Sequence, residues 1–308
     1  MAETAIDNVA AGEAEGLAGR RRRRRLGPGF WLPAGWIGLV VFGAATAGFW
    51  PMPAPETIDF LNRAAMPGTV GEIELAGQTE LSEFRYLLGT DNIGRDMLSR
   101  LLYGARVSLL IGLLSPLIGL LVGGALGVVA GYYRGRVDGA VVAAMDVILA
   151  FPALALLLAI TFYLGPSLPN LILALGFLSV PASARVARAN TLSVARREFV
   201  LAAKAMGASD LYILVREIVP NVLMPLLVFA MLLVAVLIVA EGTLSFLGLS
   251  VPPPTPSWGT MIEEGRELLD QAPHVTMIPA AVMCLTVLSF NLIGDRLRSL
   301  IDPRESRL

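Results

Sequence analysis

Few side chains in this 308-residue sequence could do chemistry, and most sit in unusual places. Asp146 and Glu241 lie in or at the edge of long apolar runs, and a carboxylate at membrane depth is a functional candidate by default. Asp146 falls about two helical turns from the nearest polar loop, where pairing with an arginine is the simpler expectation. Ser209 stands between small residues in Gly207-Ala208-Ser209-Asp210, the setting of a nucleophile, but a serine nucleophile needs a base within hydrogen-bond reach. The one histidine, His274, is expected on the opposite side of the membrane from Ser209. Asp146 and Glu241 are likewise expected on opposite sides, so paired-carboxylate chemistry is not expected either. With one histidine and one cysteine, Cys284, neither a His/Cys metal cage nor an intrachain disulfide can form. No G-x-x-x-x-G-K-[ST] phosphate loop occurs anywhere. Catalytic, metal-binding and cofactor-binding residues are therefore expected to be none.

The composition explains why. Hydrophobic residues make up 55% and charged residues 16%, against about 25% charge in soluble domains. This is the composition of an all-α polytopic membrane protein, and six spans are expected. Residues 1–29 read as a disordered tail ending in the run Arg20 to Arg25. Beside an apolar stretch, that run is better read as a cytoplasmic anchor than as a nucleic-acid site. Residues 30–50 form the first span, with Trp31, Trp36 and Trp50 at the interfaces. Residues 51–106 are polar, opened by Pro51, Pro53 and Pro55, and belong outside. A core of five spans follows over 107–298, at roughly 107–131, 139–164, 171–184 (kinked at Pro181), 218–240 and 275–294, then a basic tail over 299–308. Eighteen of the 24 lysines and arginines fall on the side that carries both termini, which places those termini in the cytoplasm. Gly119, Gly123, Gly127 and Gly131 repeat at a spacing that lets another helix come close.

The interval that organises the chain is 196–221, RREFVLAAKAMGASDLYILVREIVPN. Phe199, Ala202, Ala203 and Met206 make an apolar stripe at helical spacing. Gly207 can end that helix in a left-handed conformation. Ser209 or Asp210 can cap a second helix with the stripe Leu211, Leu214, Val215 and Ile218, and Pro220 is expected to stop it. A bent helix pair between spans suits docking by another protein. On the opposite face, 250–273 combines Pro252, Pro253, Pro254 and Pro256 with Trp258 and a short acidic helix. Trp258, Glu263, Glu264 and Glu267 are the candidates there for contact with a partner on the outer face.

Ala202-Ala203, Gly207, Ile218 and Pro220 resemble the coupling-helix motif of bacterial ABC importer permeases. Leu88–Leu109 (LGTDNIGRDMLSRLLYGARVSL), Asp146–Ala153 (DVILAFPA), Glu241–Arg266 (EGTLSFLGLSVPPPTPSWGTMIEEGR) and Leu288–Arg304 (LSFNLIGDRLRSLIDPR) are similar to the C-type permeases of oligopeptide and dipeptide importers. The glutamate that often opens the coupling motif is Leu201 here. The resemblance implies a type I importer permease fold in a bacterial cell membrane. It also implies a second permease, two ATP-binding subunits that hold ATP and Mg, an extracytoplasmic substrate-binding protein, lipid, and no nucleic acid. The cargo it implies is a peptide, or alternatively nickel or another small solute. In its terms Phe199, Ala202, Ala203, Lys204, Met206, Gly207, Ala208, Ser209, Asp210 and Arg216 couple the chain to ATP hydrolysis in partner subunits. An autonomous channel or ion-coupled transporter is the rival of another class, and it predicts uptake without ATP-binding partners.

Overall fold

The computed structural model describes residues 27–74 and 81–301. The Arg20 to Arg25 run, Arg304 and Arg307 lie outside the described residues. Helix α1, Pro28–Thr46, passes through a 3₁₀ turn, Ala47–Phe49, into a long connection. That connection is not irregular throughout: β1, Val70–Glu74, pairs antiparallel with β2, Leu81–Arg85, in the register Val70↔Arg85. Ile73 and Tyr86 turn inward and are buried, while Val70, Glu72 and Glu83 stay exposed, the alternation of a half-buried strand pair.

Helix α2, Met97–Ile118, starts ten residues before the expected second span. Asp96 causes this early start, because its carboxylate accepts from the Ser99 amide at 2.7 Å and caps the first turn. One π turn, Gly119–Gly123, joins α2 to α3, Gly124–Tyr133, and the whole makes a 37-residue segment. Helix α4, Gly135–Leu149, and α5, Ala153–Leu164, do not form the straight third span that was expected; they meet at 82°. Pro152 accounts for the break, since it disfavours helical backbone at Phe151 and has no amide to continue the ladder. Helix α6, Leu168–Val194, keeps Pro181 inside one long helix, so Pro181 does not end it. The next helix is α7, Glu198–Ala205. Then α8, Asp210–Tyr212, runs through a π turn, Ile213–Ile218, into α9, Val219–Phe246. Pro220 therefore does not stop the helix. The wider π turn directly before it relieves the clash a proline ring makes with the carbonyl four residues back. Two more helices complete the chain, α10, Trp258–Gly265, and α11, His274–Ile301.

Five segments are long and apolar enough to cross a bilayer, and the bent α4–α5 pair is a sixth if counted as one. The core has two main foci. At the hairpin end, Val40 and Ala44 of α1, Leu101 and Ala105 of α2, Ala235 and Ile238 of α9, Trp258 of α10 and Phe290 of α11 pack together. At the other end, called the elbow end below, Val128, Ala187, Val194, Val200, Ile213 and Ile218 pack together. The α2–α3 segment joins the two ends by lying flat on α6. Gly119 faces Ser179, Gly123 faces the carbonyl of Val180, and Gly127 faces the carbonyl of Ala184. A Cβ at Gly131 would come within 2.8 Å of Thr191. Packing that close has no room for a side chain, so the two helices behave as one slab.

Candidate functional site

The elbow is built from α7, the turn after it and the start of α8. Helix α7 ends in a Schellman motif: the Ala208 amide donates to the Ala203 carbonyl at 3.1 Å and the Gly207 amide to the Lys204 carbonyl at 3.0 Å. This closure needs Gly207 at φ +80°, where a side chain on an L-residue is strained. Ser209 restarts the helix by accepting from the Tyr212 amide at 3.4 Å. Val200 and Ala203 face inward and pack with Ile213, Leu214 and Ile218. The opposite face is left uncovered: Met206 is 81% exposed and Leu211 71% exposed, with Leu201, Tyr212 and Val215 beside them. An apolar surface of this kind suits contact with another protein or with the membrane.

Two contacts tie the elbow to the slab. The Tyr132 hydroxyl in the last turn of α3 donates to Asp210 at 2.6 Å, and the Lys204 ammonium sits 4.6 Å above the same ring. These contacts join the elbow to α3, and the glycine face joins α3 to α6. On the flank of α6, Arg188 grips Asp138 with two hydrogen bonds, one of them 2.6 Å. Arg185 pairs with Asp146 at 2.7 Å, so Asp146 is engaged in the arginine pair expected of it.

The hairpin end holds a second cluster, almost entirely buried. Arg95 binds Asp91 at 2.6 Å and Glu264 at 2.7 Å; Arg100 binds Glu264 at 2.7 Å and approaches Asp91 at 3.4 Å. Burial pushes the nearby Asp96 carboxyl up to about 6; the amides of Ser99 and Leu98 oppose the rise and the Asp91 charge adds to it. Glu241 is fully buried, and Ser250 and Ser257 both donate to it at 2.7 Å. These bonds seat the loop before α10 on the end of α9, where Gly259 of α10 crosses Gly242 too closely for a side chain.

The family of binding-protein-dependent transport system inner membrane components matches residues 123–307, which include the glycine slab from Gly123 on, the elbow and α10. The chain belongs to this family. It is the permease subunit of an ABC importer, a multi-pass membrane protein and not an enzyme. It is 42% identical over 217 residues to the glutathione transport system permease protein GsiD of Pectobacterium atrosepticum, covering 70% of this chain and 72% of the relative. It is 43% identical over 225 residues to the di/tripeptide transport system permease protein DppC of Pseudomonas aeruginosa, covering 73% and 74%. A crystal structure of the MetNI methionine ABC transporter in an inward-facing conformation superposes with a TM-score of 0.57 at 19% identity, over 67% of this chain and 98% of that one. That likeness speaks for the fold alone.

Within the permease, the residues singled out from the sequence separate. Phe199, Ala202, Met206 and Arg216 lie on the outer surface of the elbow. Ala203 does not: it is buried beside Val200, because the stripe of α7 is split between an inner and an outer face. Lys204 and Asp210, both expected among the coupling residues, are held by Tyr132, which falls just past the expected second span and was not singled out from the sequence. Trp258 cannot meet a partner as expected, since it is fully buried and its indole donates to the Leu101 carbonyl at 3.2 Å. Glu264 is taken up by Arg95 and Arg100, leaving Glu263 and Glu267 flanking Arg266 on the surface. Arg95 and Arg100 were legible only as parts of a family-like stretch, because the Glu264 they share is far along the chain, 164 residues from Arg100; their second partner, Asp91, is local, four residues before Arg95. Ser209 and His274 do not meet: Ser209 caps α8, whereas the His274 imidazole lies 3.0 Å from the Ala65 carbonyl at the hairpin end.

Proposed function

We propose that this permease imports short peptides and that its elbow is where ATP-driven motion enters. The elbow docks in an ATP-binding subunit through Phe199, Ala202, Met206 and the neighbouring Leu201, Leu211 and Tyr212. Gly207 supplies the reversal, and Ala208, Ser209 and Arg216 border the contact. Two such ATP-binding subunits, carrying ATP and Mg, close and push the elbow. Tyr132 passes the displacement to α3 and the slab, and the spans rock between two states. A second permease completes the path and a substrate-binding protein delivers cargo at the hairpin end, where Glu263 and Glu267 remain open to it. The elbow end carries Arg134, Arg136, Arg185, Arg188, Arg196 and Arg197 and so faces the cytoplasm, with both termini. This chain contributes no cofactor of its own.

The observation that carries this reading is the exposed apolar face of Met206 and Leu211 on an elbow bonded to Tyr132. The peptide cargo is supported by two of the relatives, a glutathione and a di/tripeptide permease. The test is uptake of a labelled dipeptide by proteoliposomes holding the full complex. Uptake should require ATP inside the cytoplasmic face and binding protein outside. Uptake that persists without the ATP-binding subunits would overturn the coupling reading; ATP-driven uptake of another solute but no peptide would overturn the cargo.

A further inference from the structure

A cleft of about 410 Å³ opens at the hairpin end between the segment after α1, helix α2 and the loop before α10. Its size falls in the range of small-molecule sites, roughly 300–1,000 Å³. Pro55, Pro254 and Pro256 wall it. Arg106 and Glu56 line it with opposite charges. The Arg106 side chain is held in place: its Nε donates to the Ala44 carbonyl at 2.5 Å, its Nη2 to the Ala45 carbonyl at 3.4 Å, and its plane lies 4.6 Å from the Tyr103 ring. These bonds cap the end of α1 and use only one edge of the guanidinium. Its Nη1 has no partner among the described residues, and neither has the Glu56 carboxylate. A cleft that offers one cation edge and one free carboxylate complements a small zwitterion.

We propose that this cleft is a subsite for a short peptide with free ends, Arg106 receiving the carboxylate and Glu56 the ammonium. It rests on the peptide reading above and deepens it: cargo released from the binding protein meets the permease here before the path opens.

The test uses the purified complex in nanodiscs, without binding protein, and equilibrium dialysis with labelled dialanine, N-acetyl-dialanine and dialanine amide. Dialanine should bind wild type weakly, and either modification should cost about tenfold, the worth of one charge-assisted hydrogen bond. Glu56→Gln should cost the same tenfold for dialanine and should show no further loss on N-acetylation. If N-acetylation costs as much on Glu56→Gln as on wild type, the subsite is wrong. The subsite is also wrong, with the peptide reading intact, if the complete transporter takes up dialanine that the complex alone does not bind. Failure of the complete transporter to take up any peptide would remove both.

Discussion

At Gly207 the backbone requirement can be separated from every packing effect. Its φ is +80°, and a Cβ added there would meet nothing within 4 Å. A substitution therefore introduces conformational strain and no clash inside the permease. Left-handed backbone costs an ordinary L-residue about 1–2 kcal/mol, with β-branched residues at the upper end and asparagine nearly exempt. Alanine should then deplete the elbow closed by the Ala203 and Lys204 carbonyls about fivefold, and valine up to about thirtyfold. The readout is ATPase stimulated by loaded binding protein, in proteoliposomes at matched permease content. The expected order is Gly, Asn, Ala, Val, with Asn near wild type and basal ATPase little changed throughout. Stimulation by Gly207→Val equal to wild type would refute the coupling role. A defect in Gly207→Asn as deep as in Gly207→Val would refute the backbone argument, since asparagine takes this conformation.

Three other outcomes follow from the contacts. Tyr132→Phe keeps the ring under Lys204 but removes the bond to Asp210, so amides 204–212 should exchange several-fold faster in hydrogen-exchange mass spectrometry, with those of α11 unchanged. Glu264→Ala leaves the buried guanidiniums of Arg95 and Arg100 sharing Asp91 alone and should destabilise the hairpin end by about 3–5 kcal/mol, seen as a lower Tm, whereas Glu264→Gln should cost less. Asp96 has a folded pKa of about 6, above its ordinary 3.8, so the native state holds its proton over that interval. Its stabilising contribution is complete below about pH 4 and is lost as pH rises through 6, and Asp96→Asn should flatten this part of the Tm–pH profile.

Much of the architecture was legible because it depends on local grammar. A glycine after an apolar stripe announced the turn at Gly207, and four glycines at a spacing of four announced a helix face that another helix could approach. Proline shows where local reading ends. Pro152, Pro181 and Pro220 look alike in sequence, yet the first breaks a span, the second lies inside a helix and the third follows a π turn. What differs is the tertiary surroundings, which decide whether the freed backbone groups are otherwise satisfied. The same limit hid Tyr132, whose partner Asp210 lies 78 residues on, and the split of the α7 stripe, since helical spacing says that Ala202 and Ala203 neighbour each other but not which one faces inward.

The central claim is that the outer face of the elbow meets an ATP-binding subunit. Because Cys284 is the only cysteine, a Cys284→Ser background allows a single new thiol at Met206, and a short photo-crosslinker there can be activated in the assembled transporter. The account predicts crosslinks from Met206→Cys to an ATP-binding subunit, strengthened when ATP is bound, and none from a control thiol at Glu72 on the hairpin. Crosslinks from Met206→Cys only to lipid or to the external binding protein would contradict it.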